Sequence, residues 1–177
     1  MFEPIQVPAS LTWRQAGSVR RSYELVSEAR ILASMQFPRL FSDLAEVRIG
    51  DAEYSLDRTG ILHPKVILRR GPFQEELGQV MMGWRAAWTM EILDGRRYTV
   101  ERRSIWGGLW ALIGSSNEVL AEVRVRPAIL RQEAEVTVHE RGSRDRDLPL
   151  FLTVAWYLVI LNQQDSAAAS SAGVAST

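Results

Sequence analysis

Four arginine doublets, at 20/21, 69/70, 96/97 and 102/103, are the residues of this chain best suited to recognising an anion. A guanidinium presents a planar fork of donors that matches a phosphate or a carboxylate. Arg69, Arg70, Arg96, Arg97, Arg102 and Arg103 are accordingly the candidates for contact with phospholipid headgroups. Neighbours in a strand point to opposite faces, so a doublet belongs at a strand end, where both side chains reach solvent. Gathered at one rim, such residues would hold an anionic surface with about 1 kcal/mol per basic residue. Scattered, they are ordinary ion-pair partners, as Arg97 would be for Glu91. Lys+Arg and Asp+Glu both number 21, a balance that favours scattering and supplies no broad basic field for nucleic acid.

Other chemistry is sparse. His63 and His139 are far apart and have no metal-ligand spacing. With no cysteine, thiolate zinc sites and disulfides are excluded. His139, Ser143 and Asp145 spell a triad inside the charged loop 139–147, but a triad is defined by geometry rather than by letters. Glu75-Glu76 reads as a solvated turn after Gly71-Pro72. No P-loop, nucleophile elbow, zinc-protease or dinucleotide motif is present. The expectation is no enzyme, no cofactor and no metal. Trp84 and Trp88, like Trp106 and Trp110, are four apart and would share a strand face. They could form a stacking platform; packing inside a barrel wall is the preferred reading. Phe37-Pro-Arg-Leu-Phe41 is either a membrane-dipping loop or a loop packed on the fold.

The element that must position all of this is Leu148 to Leu161, fourteen residues without a charge and apolar on every side. A helix of that kind has no face for water and must be buried. It is about 21 Å long, too short to cross a bilayer. Asp147 is the expected N-cap, Pro149 sits in the tolerant first turn, and the helix should stop near Asn162 to Asp165. One domain is expected over 1–163, followed by a disordered Ala/Ser-rich tail over 164–177. The opening Met1-Phe-Glu-Pro-Ile-Gln has no basic n-region or long apolar run. A cytoplasmic protein, potentially peripheral to a membrane, is the expectation.

Upstream, β-branched and aromatic runs alternate with Gly, Pro, Asp and Ser at intervals of roughly 8 to 12 residues, the spacing of an all-β fold. Twelve strands are expected: Leu11 to Arg14, Val19 to Val26, Arg30 to Gln36, Ala45 to Ile49, Ala52 to Leu56, Lys65 to Arg70, Leu77 to Met82, Ala86 to Ile92, Arg96 to Arg102, Leu109 to Ile113, Val119 to Val125 and Ala134 to Val138. Gly50-Asp51 fits a two-residue type II′ turn, which sets Ile49 opposite Ala52, Val47 opposite Tyr54 and Ala45 opposite Leu56. A second hairpin keeps both faces chemically consistent only with the three-residue turn Leu93-Asp94-Gly95, Gly95 being left-handed. Met90 then faces Tyr98, Trp88 faces Val100 and Glu91 meets Arg97. Leu44-Ala-Glu-Val-Arg48 recurs as Leu120-Ala-Glu-Val-Arg124, a faint internal echo.

An eight-stranded barrel is filled by its own side chains, whereas a helix with side chains needs about 10 to 12 Å. The expected fold is therefore mainly β, a closed antiparallel barrel of about twelve strands around the buried C-terminal helix. The order of parts, the hairpin Glu91-Ile-Leu-Asp-Gly-Arg-Arg-Tyr98 and the terminal helix Asp147 to Leu161 resemble the tubby C-terminal-like superfamily, which includes the phospholipid scramblases and the LURP-one-related proteins. The resemblance covers roughly Tyr23 to Leu161. It implies a twelve-stranded barrel and a lipid-surface role, phosphoinositide binding in tubby proteins and membrane association in scramblases. The functional expectation is a non-enzymatic domain that binds an anionic phospholipid surface or, alternatively, a protein partner. A carrier of a small apolar ligand is disfavoured, because the helix should fill the lumen.

Overall fold

Period-two burial runs through nearly every β-branched segment of the chain, so each strand has one face to bury. In a computed structural model, which describes residues 7–17, 21–28, 30–39, 42–60, 63–83, 87–104, 108–126 and 132–174, with side chains to residue 170, those faces line a single lumen. The strands are β1 Ser10–Gln15, β2 Ser22–Ser27, β3 Arg30–Gln36, β4 Ala45–Ile49, β5 Ala52–Thr59, β6 Lys65–Arg70, β7 Glu75–Met82, β8 Ala87–Ile92, β9 Arg97–Ser104, β10 Leu109–Ile113, β11 Val119–Arg126 and β12 Glu133–Val138. Each pairs antiparallel with its sequence neighbour, and β1 with β12 closes the barrel. Closure leaves no free sheet edge. All twelve expected strands are present, with ends shifted by up to three residues; the expected β2 residues Val19 and Arg20, and Ala86 of β8, lie outside the described residues.

Both hairpin registers hold. Ile49 faces Ala52, Val47 faces Tyr54 and Ala45 faces Leu56, while Met90 faces Tyr98, Trp88 faces Val100 and Glu91 faces Arg97. Gly95 has φ +91° and its amide bonds the Ile92 carbonyl, the left-handed position that closes the bulged turn. The echoed pentapeptides occupy β4 and β11 and bury equivalent residues, Ala45 with Val47 and Ala121 with Val123.

Through the lumen runs α2, Leu148–Val174. From Leu150 to Leu161 every residue is buried, Thr153 included. Thr153 avoids an unpaired hydroxyl by donating to the Pro149 carbonyl at 2.7 Å. The helix comes close to β3, β4 and β10; Ala33 and Ala45 face inward from the first two and Trp110 from the third, while Trp13, Tyr23 and Trp88 line other strands. Small side chains permit the close approach at β3 and β4.

Two expectations about the C-terminal part need correction. The helix does not stop at Asn162 to Asp165 but continues to Val174. Alanine has the highest helix propensity and the run holds no proline, while the hydroxyls of Ser166 and Ser170 are paired within the helix on the carbonyls of Asn162 and Ser166. The charged segment 139–147, expected as a loop, holds a short turn of helix, α1 Glu140–Ser143. It seats closely because Gly142 lies against the Leu120 carbonyl, where a Cβ would come within 2.2 Å. The Asp147 carbonyl accepts from the Leu150 and Phe151 amides, while its carboxylate binds Arg96.

Candidate binding surfaces

Alternation of strand direction gives the barrel two unlike ends. The proximal end, where α2 begins, carries the turns that follow β2, β4, β6, β8 and β10, together with α1. The distal end, where α2 leaves, carries the turns that follow β1, β3, β5, β7, β9 and β11. The lumen between them is occupied. At its distal mouth Trp13 stacks on Trp156 with centroids 5.8 Å apart, Phe37 stacks on Tyr157 at 5.8 Å, and Tyr23 meets both Trp156 and Phe37 edge-on. The Tyr157 hydroxyl donates to the Asp43 carbonyl at 2.6 Å, and Arg58 bridges Asp43 and Asp165. At the proximal mouth the Tyr98 ring lies 3.9 Å from that of Phe151. Burial, followed by the Asp145 carboxylate, pushes the Tyr98 hydroxyl up to about 12.

The six candidate arginines do not converge. Arg69, Arg70, Arg96 and Arg97 belong to the proximal end, and Arg102 and Arg103 to the distal one. Even at the proximal end the two doublets are three strands apart, about 14 Å around the wall. Most have a carboxylate neighbour: Arg69 lies 4.0 Å from Asp57, Arg97 pairs with Glu91 at 2.8 Å and Arg103 with Glu101 at 2.6 Å. Arg70 rests over the Tyr54 ring and Arg102 over Trp110, whose strand neighbour it is. Arg96 is the most engaged. It binds Asp94 and Asp147, both at 2.8 Å, so it fastens the β8–β9 turn to the start of α2. The same contact, with the Arg96 amide, holds the Asp94 carboxyl below its usual range.

Sequence reasoning missed this latch because Arg96 and Asp147 are 51 residues apart and only the closed barrel brings them together. Arg20 lies outside the described residues, and Arg21 covers the Phe37 ring at 3.9 Å. Phe37 is buried, so that part of the Phe37 to Phe41 segment packs on the fold; Leu40 and Phe41 lie outside the described residues. The same applies to Trp84 and Trp106, while Trp88 and Trp110 are both buried.

His139, Ser143 and Asp145 form no relay. His139 faces Glu122 at 3.7 Å, the Ser143 hydroxyl donates to the Glu140 carbonyl, and Asp145 accepts from the Tyr98 hydroxyl and the Asp147 amide. Among the described residues no group of His, Asp and Glu is arranged to hold a metal ion, and no helix is long and apolar enough to cross a membrane.

Outside the lumen the surface carries shallow pockets. One of about 400 Å³ lies on the outer wall between β3, β4, β5 and the β6–β7 turn, lined by Gln36, Glu46, Glu53 and Gln74. Another, of about 240 Å³, lies at the proximal end between the β10–β11 turn and α1. Among the described residues the exposed large apolar side chains are Ile31, Phe73 and Leu93 at the proximal end and Met81 and Met82 at the distal end. Phe73, at the tip of the β6–β7 turn, is 95% exposed. No protein-family model matches the chain, and no curated protein or solved structure matches it.

Proposed function

We propose that this protein is a non-enzymatic, tubby-like binding barrel that docks on an anionic phospholipid surface with its distal end. The observation that carries the proposal is the filled lumen: α2 is buried on all sides from Leu150 to Leu161, so a partner must be met from outside. What favours the distal end is chain order. The connections that leave and re-enter the wall there include Leu40-Phe41, Ile61-Leu62, Trp84-Arg85, Ile105-Trp106 and Ile129-Leu130-Arg131. Their own conformation lies outside the described residues; the strand ends that bracket them do not. Of the proximal turns, Gly50-Asp51 and Gly114-Ser-Ser-Asn-Glu118 are small and polar, while those after β6 and β8 expose Phe73 and Leu93 without an aromatic or aliphatic neighbour on each side. Aromatic and aliphatic residues interleaved with arginine are the composition of an interfacial segment, and Arg102 and Arg103 lie near the distal end of β9.

Co-sedimentation with neutral and phosphoinositide-containing vesicles tests this. Binding should require the anionic lipid, weaken with salt, and fall in Trp84→Ser/Trp106→Ser and in Arg102→Glu/Arg103→Glu. Folded protein that stays in the supernatant at low salt refutes it. A protein partner is the second reading. It is favoured by the carboxylates that neutralise Arg69, Arg96, Arg97 and Arg103 and by Phe73 and Leu93 projecting from proximal turns, since aromatic side chains anchor protein interfaces.

A further inference from the structure

Asp94-Gly95 is the one place in the sequence where an aspartate or an asparagine precedes a glycine. That pairing carries a chemistry of its own. A main-chain amide nitrogen can attack the side-chain carboxyl of the residue before it, and glycine, with no Cβ, leaves the approach open. The pair lies in the β8–β9 turn beside Leu93, which is 73% exposed, and the Asp94 side chain is itself half exposed. Solvent reaches it.

Both reacting groups are held. The Asp94 carboxylate accepts from the Arg96 amide at 3.0 Å and from Arg96 Nε at 2.8 Å, a side-chain turn reinforced by a guanidinium. Arg96 is anchored in its turn: another of its nitrogens binds Asp147 at 2.8 Å, and the guanidinium lies 5.5 Å from the centre of the Phe151 ring. The nucleophile is engaged as well, since the Gly95 amide donates to the Ile92 carbonyl at 2.9 Å. Ring closure needs the opposite state of each group. The carboxyl must be protonated so that a hydroxyl can leave, whereas its Arg96 donors favour the ionised form. The nitrogen must be free of its acceptor, whereas the bulged turn depends on that bond.

We propose that Asp94-Gly95 is a latent isoaspartate site, kept closed by the grip of Arg96 on the Asp94 carboxylate. Once the grip is lost, the Gly95 nitrogen bonds to the Asp94 Cγ, and the carboxyl hydroxyl leaves with the amide proton as water, giving a succinimide. Water then opens the ring. Cleavage of the new Cγ–N bond restores aspartate; cleavage of the bond between the Asp94 main-chain carbonyl carbon and the Gly95 nitrogen leaves the chain joined through Cγ as isoaspartate. The mass is unchanged. The carboxylate now sits on Cα, away from its Arg96 donors, so the turn loses the group through which Arg96 ties it to the start of α2.

The test is incubation of the full-length protein at physiological temperature and neutral pH. Isoaspartate at position 94 is followed by peptide mapping with electron-transfer fragmentation and by labelling with an isoaspartate-specific carboxyl methyltransferase. The folded parent should accumulate it slower than the same chain unfolded in guanidinium chloride by about tenfold or more, because the held groups must open first. Arg96→Gln should speed the folded protein by about fivefold, near the most that one exposed ion pair supplies. Asp147→Asn frees Arg96 from α2 but leaves its hold on Asp94, so its rate should match the parent's. A folded parent as fast as the unfolded chain, no isoaspartate even in the unfolded chain, an Arg96→Gln rate equal to the parent's, or equal acceleration by Asp147→Asn would each overturn the proposal.

Discussion

Replacing Leu152 probes the central helix directly. The residue is fully buried, so Leu152→Ala should create a cavity and cost about 3 to 5 kcal/mol. For a chain of this size each kcal/mol lowers Tm by about 2 to 4 °C, which gives a fall on the order of 5 to 20 °C. Domains are stable by only about 5 to 15 kcal/mol, so the alanine variant should remain folded but weakened. Leu152→Asp is a different perturbation, because it places a carboxylate where neither water nor a basic partner is at hand, and an isolated buried charge costs more than the cavity. It should abolish cooperative unfolding. The assay is urea denaturation followed by tryptophan fluorescence, since Trp13 and Trp156 are stacked and fully buried in the same core, together with the hydrodynamic radius. A Leu152→Asp variant that unfolds cooperatively within about 1 kcal/mol of the parent would refute the threaded barrel, as would a soluble, cooperative truncation after Asp147.

Gly95→Val places a β-branched residue at φ +91° and should cost about 1 to 3 kcal/mol, read as a lower urea midpoint with an unchanged slope; a neutral result would contradict the bulged turn. Gly142→Ala should lift α1 from β11, because the new Cβ would meet the Leu120 carbonyl at 2.2 Å; hydrogen exchange over 139–147 should rise severalfold while the barrel strands stay protected. Arg58→Ala removes two ion pairs at the distal mouth; with Asp165 half exposed, the loss should be about 1 kcal/mol and appear as faster exchange in 162–174 rather than as global unfolding. The tyrosines set an alkaline limit. Burial raises Tyr23, Tyr98 and Tyr157 above 10.0, Tyr98 to about 12. The folded state therefore holds these protons more tightly than the unfolded one. Their contribution is complete below pH 10 and is lost as pH rises through about 12 for Tyr98, so phenolate absorbance should appear together with unfolding; independent ionisation of all the tyrosines in folded protein near pH 10 would contradict their burial.

Sequence alone determined the parts and two of their registers. Period-two alternation is a local consequence of the pleat, so each strand and its inward face could be read from a handful of residues. A one-residue slip in the Gly50 or Gly95 hairpin would mix apolar and charged faces, and that chemical cost fixes the pairing without any distant information. The demand for a closed barrel likewise follows from a helix with no polar side. Tertiary structure decided what each charge does. Whether Arg96 meets a phosphate or Asp147 depends on a contact across 51 residues, and ion pairing falls off too quickly with distance for composition to reveal it. The Ala/Ser run illustrates the same limit: its composition suits a tail, yet helix propensity and the anchoring of Asp165 by Arg58 extend α2 through it. The pocket beside Glu118 was hidden for the same reason, since its walls come from β9, the β10–β11 turn and α1, which become neighbours only when the barrel closes.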